Sequence, residues 1–169
     1  MPEFFPDTPL LTERFDAALH YATAHHAQQL RKGTPIPYAA HLLAVASLVL
    51  EMHGDEDEAI GALLHDVVED GGGPDALRVS LADKLHNARS ILIDYRAHGD
   101  ALWARFGQRK GLATRIYYRE LVAAFEREAP RMGEHAAPAI DELRRTVEAI
   151  TALAEERQGP DTRVSFDWG

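Results

Sequence analysis

The sequence predicts an all-α protein built as a single-domain helical bundle. Apolar residues recur at three- and four-residue spacing along most of the 169-residue chain, which is the period of an amphipathic helix. Glycine- and proline-rich segments interrupt this pattern, and no sustained alternation of apolar and polar residues predicts a β-hairpin. We divide the chain into an N-terminal extension (1–11), one domain (12–156) and a tail (157–169).

Helix boundaries follow from capping residues and helix breakers. Thr12 or Thr8 can cap the first helix, and residues 33–37 must end it, because each proline there fixes φ and restricts the residue before it. Acidic residues after Asp55 suit the positive end of the third helix dipole. The predicted helices are, in chain order, 12–30, 38–52, 55 to 69 or 70, 75–98, 114–127 and 139–156.

Composition excludes several classes of protein and site. The chain has no cysteine and a formal net charge of −9. Without thiolates, any metal must be held by histidine and carboxylate groups, and an acidic protein lacks the basic surface that broad nucleic-acid binding needs. No apolar run reaches the roughly 18 residues of a membrane span, and the N-terminus lacks the basic start of a secretory signal. We therefore expect a cytoplasmic protein that binds neither nucleic acid nor membrane, with its oligomeric state left open.

Four residues on three predicted helices could form a metal site. His65 and Asp66 are adjacent on the third helix, so they diverge by about 100° and can grip one ion from two sides. His41 lies near the start of the second helix and Asp83 on the fourth, each in an otherwise apolar stretch. Two imidazoles and two carboxylates suit manganese, iron, zinc or magnesium, and the set alone does not choose among them. Such an ion would acidify bound water and polarise a phosphoryl oxygen.

An acidic pair, Glu69 and Asp70, follows one helical turn after His65 and Asp66. At that spacing a carboxylate can orient the attacking water or relay its proton. A capping or solvated role is an equal alternative for either residue. Two acidic residues at a helix C-terminus oppose the dipole, however, and a local rule broken beside candidate ligands indicates function.

Structural roles are expected for the other seven histidines. One member of the adjacent pair His25 and His26 could face the site from the first helix. Positions at helix ends or on the surface are expected for the following four: His53, His86, His98 and His135.

The candidate residues fall within four short motifs. In chain order these are Gln29-Leu30-Arg31-Lys32-Gly33, Pro37-Tyr38-Ala39-Ala40-His41, His65-Asp66-Val67-Val68-Glu69-Asp70 and Leu81-Ala82-Asp83-Lys84-Leu85-His86-Asn87. Together they strongly resemble the RelA/SpoT-like branch of the HD-domain phosphohydrolases, whose stand-alone members are the small alarmone hydrolases. The resemblance covers residues 12–95 well and the last third of the chain loosely.

This resemblance implies an HD hydrolase domain that uses manganese to remove the 3′-pyrophosphate of guanosine tetra- or pentaphosphate, the alarmone of the stringent response. It implies four metal ligands, His41, His65, Asp66 and Asp83, and two groups that position or activate water, Glu69 and Asp70. Its implied substrate contacts are Arg31 stacked on guanine, Lys32 beside it, Lys84 near phosphate and Asn87 near the sugar. A guanidinium plane over a base is physically sensible.

The connection between Asp70 and Asp83 is several tens of residues shorter than family members usually have. If residues 71–73 reversed the chain directly, Asp83 would lie about 13 Å along the returning helix and His65 about 8 to 9 Å before the turn, an overshoot of about one helical turn. A genuine deletion and a segment missing from this sequence are both open alternatives. A deletion would alter the walls of the pocket.

Two other functions compete with alarmone hydrolysis. The same residues could hydrolyse another nucleotide, such as NADPH or a nucleoside phosphate, or the pocket could bind a nucleotide without turnover. The pair Glu69 and Asp70 disfavours the second, because sensing alone needs no water-positioning group. No synthetase domain is predicted, since the residues after Asp100 show only helical, arginine-rich patterns.

Overall fold

Six α-helices dominate the computed structural model, which describes residues 8, 10–65, 74–107 and 111–159. They are α1 (Glu13–His25), α2 (Ala39–Glu51), α3 (Glu56–Leu64), α4 (Pro74–His98), α5 (Leu112–Met132) and α6 (Ala137–Gln158). A 3-10 helix (Gly99–Phe106) follows α4, and a single 3-10 turn (Glu134–Ala136) precedes α6. The described residues contain no β-strand, only an isolated bridge between Leu30 and Pro37. The all-α prediction is confirmed.

The first helix is shorter than predicted, ending at His25 rather than at Leu30. Beyond it the backbone turns back on itself. The Arg31 amide donates to the Ile36 carbonyl at 2.9 Å, and the Tyr38 amide donates to the Gln29 carbonyl at 2.8 Å. These bonds replace helical ones. The prolines at positions 35 and 37 have no backbone N–H to donate and a fixed φ, so the helix cannot continue through this segment. The resulting loop leads directly into α2.

A capping box starts α3 and a buried ion pair joins this helix to α4. The Asp55 side chain accepts from the Glu58 amide, and the Glu58 side chain accepts from the Asp55 amide, each at 2.9 Å, which satisfies two free donors at the helix start. Glu58 is only 5% exposed and accepts from Nε of Arg78 on α4. Arg78 also donates to the carbonyl of Met132 at 2.7 Å. This pair therefore ties α3 and α4 to the end of α5.

The 3-10 helix and the full length of α5 were not predicted. Leu102 and Trp103 on the 3-10 helix are buried, so this segment packs as part of the core. Helix α5 continues past Arg127 and through Pro130, because its last residue, Met132, is itself buried in the core.

The central core lies between α2, α4, α5 and α6. Its largest fully buried side chains are Trp103, Tyr95, Leu42, Leu63, Leu81, Leu85, Leu102, Met132 and Leu143. Among the residues that the structure describes, no helix combines the length and apolar character needed to cross a bilayer.

Candidate metal centre

Three side chains from different parts of the fold meet at one point. Nε2 of His41 lies 3.2 Å from Oδ1 of Asp83, and Nε2 of His65 lies 3.8 Å from the same oxygen. One ligand atom from each of the three residues lies within 4.8 Å of the others. Ligand atoms that share one ion at about 2.1 Å are themselves about 3 to 3.5 Å apart. The 3.2 Å separation between His41 and Asp83 matches that spacing, the 3.8 Å separation between His65 and Asp83 is wider, and the nitrogen and oxygen donor set suits a divalent cation.

The hydrogen bond that His65 makes elsewhere fixes which of its ring nitrogens can bind a metal. Its Nδ1 lies 2.7 Å from the carbonyl oxygen of Ala62, an acceptor only, so Nδ1 carries the proton and donates. In a neutral imidazole Nε2 is then the nitrogen with a free lone pair, and it lies 3.8 Å from Oδ1 of Asp83. A carbonyl that orients the other ring nitrogen is the usual companion of a metal-binding histidine.

Asp83 is a buried carboxylate surrounded by donors. It is 8% exposed, and Lys84 Nζ donates to its Oδ2 while Asn87 Nδ2 donates to its Oδ1, both at 2.8 Å. Burial acts to raise the pKa of Asp83, but hydrogen bonds from His41 and Lys84 and the lysine charge outweigh it and hold that pKa well below its usual range. The group is therefore ionised and available as a ligand.

His86 is the residue that sequence reasoning placed wrongly. It lies in the middle of α4, half-buried, and not at a helix end or on the open surface. Its Nδ1 is 2.8 Å from Nδ1 of His41. Burial lowers the pKa of His86 to about 4, and the nearby charge of Arg31 adds to the effect. The available signal was its spacing, since a residue three positions after Asp83 shares its helix face.

A cavity of about 590 Å³ opens beside the cluster. All four residues proposed to bind substrate line it: Arg31, Lys32, Lys84 and Asn87. His41 and Asp83 form part of its wall. Unpredicted contributions come from residues that follow α4 in the chain, namely Leu102, Arg105, Phe106 and Tyr118.

Arg31 is held in place from behind by α4. Its NH1 donates to Oγ of Ser90 at 3.0 Å and its NH2 to Oδ1 of Asn87 at 3.3 Å. Because Asn87 also donates to Asp83, one side-chain amide orients both the guanidinium and the carboxylate. The loop after α1 and the metal cluster are thereby connected.

His26, Trp103 and Tyr118 lie in the core or close to the metal cluster. The ring of His26 lies 5.1 Å from that of Tyr38, which lies 5.3 Å from that of His41, so His26 is near the cluster but behind a tyrosine. Trp103 is buried in the core, whereas Tyr118 is buried and also lines the cavity.

Three predicted site residues, Asp66, Glu69 and Asp70, lie outside the described part of the chain. The short connection nevertheless leaves His65 and Asp83 close together. Glu58 pairs with Arg78, and His65 contacts Asp83, so the contacting residues advance in the same direction along α3 and α4. A direct reversal would pair them in the opposite order.

The family model for the HD domain matches residues 18–78 of the chain. This range includes Arg31, His41 and His65 and ends before Asp83, so the contact of Asp83 with the two histidines is an observation independent of that match.

Several curated proteins are similar over part of the chain. A probable GTP pyrophosphokinase of Mycobacterium leprae is 42% identical over 71 residues, which are 41% of this chain and 8% of that protein. The bifunctional (p)ppGpp synthase/hydrolase RelA of Mycobacterium tuberculosis is 46% identical over 55 residues, 32% of this chain and 7% of that protein. A guanosine-3′,5′-bis(diphosphate) 3′-pyrophosphohydrolase of Haemophilus influenzae is 45% identical over 47 residues, 28% of this chain and 7% of that protein. The chain thus spans less than a tenth of the length of these relatives.

Proposed function

We propose that this chain is a member of the HD-domain family, in its RelA/SpoT-like branch, and that it is a metal-dependent phosphohydrolase whose substrate is guanosine tetra- or pentaphosphate. Water adds to the phosphorus of the 3′ ester, the bond from that phosphorus to the ribose 3′ oxygen breaks, and pyrophosphate leaves. The 3′ oxygen takes up a proton, so that the products are GDP or GTP and pyrophosphate.

One observation carries the proposal: His41, His65 and Asp83 converge beside a cavity whose lining includes cationic and amide side chains. These three residues, with Asp66, would hold the ion, and manganese is the ion that we propose. A bound divalent ion supplies a more acidic water and a polarised phosphoryl oxygen. Glu69 or Asp70 would orient that water and take its proton.

The cavity supplies complementary groups for the rest of a nucleotide. Arg31 is fixed at NH1 and NH2 by Ser90 and Asn87, and a guanidinium whose orientation is fixed can stack on a base with little further loss of freedom. Lys84, at the metal end of the cavity, would approach phosphate. Asn87 would approach the sugar. The relatives named as guanosine-bis(diphosphate) hydrolases support this choice of substrate.

The test is a substrate panel measured under identical conditions. Purified protein with Mn²⁺ is given guanosine tetraphosphate, NADPH and simple nucleoside phosphates, and released pyrophosphate and phosphate are quantified. We expect pyrophosphate from guanosine tetraphosphate and its loss in an Asp83→Ala variant. Preferred turnover of another nucleotide would replace the substrate proposal, and tight nucleotide binding without turnover across several metals would indicate a sensor. Full activity of the Asp83→Ala variant would reject the metal assignment.

A further inference from the structure

We propose that His86 is a positioning residue that accepts the Nδ1 hydrogen bond of His41 when Nε2 of His41 binds a metal. This inference rests on the metal site proposed above. It concerns a side chain that contributes no atom to the metal cluster itself.

The geometry between the two rings carries the argument. Their Nδ1 atoms are 2.8 Å apart, with ring centroids 5.0 Å apart and an interplanar angle of 32°. Two nitrogens at that distance share one proton in a hydrogen bond. When Nε2 of His41 binds a metal, its ring proton must be on Nδ1. His41 is then the donor, and Nδ1 of His86 is the acceptor.

His41 and His65 thus each have a hydrogen-bond partner at Nδ1, but the two partners are chemically different. The other ring nitrogen of His65 donates to the carbonyl of Ala62 at 2.7 Å. An acceptor at this position raises the basicity of a metal-binding imidazole and fixes its orientation. For metal-bound His41, Nδ1 of His86 is the acceptor that corresponds to the Ala62 carbonyl at His65.

An imidazole nitrogen differs from a carbonyl oxygen because it can either donate or accept a hydrogen bond. Nε2 of His41 is 3.2 Å from the Asp83 carboxylate, so in the absence of an ion it donates to that oxygen, and its Nδ1 accepts from His86. With an ion, the proton on the His86 Nδ1 passes to the His41 Nδ1. His41 gives up its Nε2 proton to solvent, and His86 gains one at its own Nε2. The two histidines together keep the same number of protons. His41 donates a hydrogen bond to Asp83 when no ion is bound, and its Nε2 is available as a ligand when an ion binds.

The position of His86 is itself well fixed. Ser90 Oγ donates to the backbone carbonyl of His86 at 3.0 Å, and Arg31 donates to the same hydroxyl. Helix α4 holds the neighbouring backbone, and the ring is half-buried. A fixed acceptor orients a ligand better than a mobile one, which is the requirement for precise metal geometry.

The first experiment measures metal affinity with Mn²⁺ alone. Titration calorimetry is run on the full chain and on His86→Leu, which removes the acceptor, and on His86→Asn, whose Oδ1 can replace Nδ1. We expect His86→Leu to raise the Kd for Mn²⁺ by about 10- to 100-fold, the effect typical of losing such a partner, and His86→Asn to restore most of the affinity. The matched control is His98→Leu, the same change on an exposed residue about 18 Å along the same helix.

The second experiment reads the tautomer directly. Nitrogen-15 NMR of ring-labelled wild-type protein, metal-free and loaded with diamagnetic Zn²⁺, should show the His41 proton move from Nε2 to Nδ1. A His41 that keeps one tautomer in both states would overturn the inference even if His86→Leu fails to fold. Equal Mn²⁺ affinity of wild type and a folded His86→Leu would overturn it as well. A wild-type protein that binds no divalent ion would instead reject the proposed function itself.

Discussion

At the scale of single residues, the ability of each side chain to bind a metal depends on which of its atoms is already hydrogen-bonded to another group. Residue types and motif order sufficed to select His41, His65 and Asp83 as neighbours in space. The hydrogen-bond partner of the second ring nitrogen of each histidine was not predictable. Every residue has a backbone carbonyl, so the sequence does not show that His65 contacts the one of Ala62. His86 was missed for a related reason: only the folded arrangement of α2 and α4 brings its ring beside that of His41.

Arg31 offers a test of the substrate side of the proposed function. An Arg31→Lys variant keeps the charge but cannot donate to Ser90 and Asn87 from a planar fork, and it offers no flat cation for stacking. We expect KM for guanosine tetraphosphate to rise about tenfold, equivalent to about 1.4 kcal/mol, with a smaller change in kcat. Steady-state kinetics of pyrophosphate release measures both constants.

The matched control is Arg96→Lys, the same change at an exposed arginine of α4 that does not line the cavity. It should leave both constants unaltered. An Arg31→Lys variant with the KM of wild type would exclude recognition by the guanidinium plane, whatever the metal site does.

At the scale of elements, caps and breakers located helices well where local chemistry decides the boundary. Thr12 caps α1 through a bond from the Arg14 amide, and Asp55 starts α3, both as predicted. Prediction failed where tertiary packing decides instead. The 3-10 helix after α4 exists because its apolar side chains are buried, and its residue spacing alone resembles a loop.

The ion pair between Glu58 and Arg78 is the clearest element-scale link between α3 and α4. The Glu58 side chain is 3% exposed and the Arg78 side chain 20%. Replacing Arg78 by Met would leave a buried carboxylate without its charged partner, which typically costs about 3 to 5 kcal/mol. We expect that loss in the free energy of unfolding measured with urea.

A Glu58→Gln, Arg78→Met double variant should recover part of the loss, because no buried charge is left uncompensated. Its Gln can still accept from the Asp55 amide and preserve the helix start. If the single Arg78→Met variant loses less than about 1 kcal/mol, the usual range for an exposed pair, the link between the helices is unimportant for stability.

Gly111 tests how the 3-10 helix is locked onto α5. It has φ +66°, and a Cβ added there would lie 2.2 Å from an indole atom of the fully buried Trp103. Gly107, with φ +67° and no atom within 4 Å of such a Cβ, is a matched control. Both alanine variants pay about 1 to 2 kcal/mol for the left-handed backbone, and Gly111→Ala should lose about 1 to 3 kcal/mol more through overpacking.

Chemical unfolding of the two alanine variants under the same conditions gives this difference directly. Equal losses would mean that Trp103 can move aside at no cost. That result would weaken the view that the 3-10 helix is a packed wall of the cavity.

At the scale of the whole molecule, the candidate ligands belong to helices that are separate in the chain. His41 comes from α2, His65 directly follows α3, and Asp83 comes from α4. The sequence predicted this arrangement from the order of motifs, but a simple chain reversal after α3 would have placed Asp83 about one turn too far. The direction in which α3 and α4 contact each other removes that difficulty, and it depends on packing that no local pattern encodes.

An ion held by residues from three parts of the fold should stabilise the whole chain, because the unfolded chain does not hold these ligands together. At a Mn²⁺ concentration 100 times its Kd, the gain is about 2.7 kcal/mol, which for a protein of this size raises Tm by roughly 5 to 11 °C. Asp83→Asn preserves the shape of the side chain and removes the charged ligand, so its Tm should respond far less. Thermal unfolding with Mn²⁺ and with excess chelator measures both proteins. An equal increase in Tm for Asp83→Asn would mean that the stabilising ion binds elsewhere, because the helices would then be linked without the carboxylate at which His41 and His65 meet.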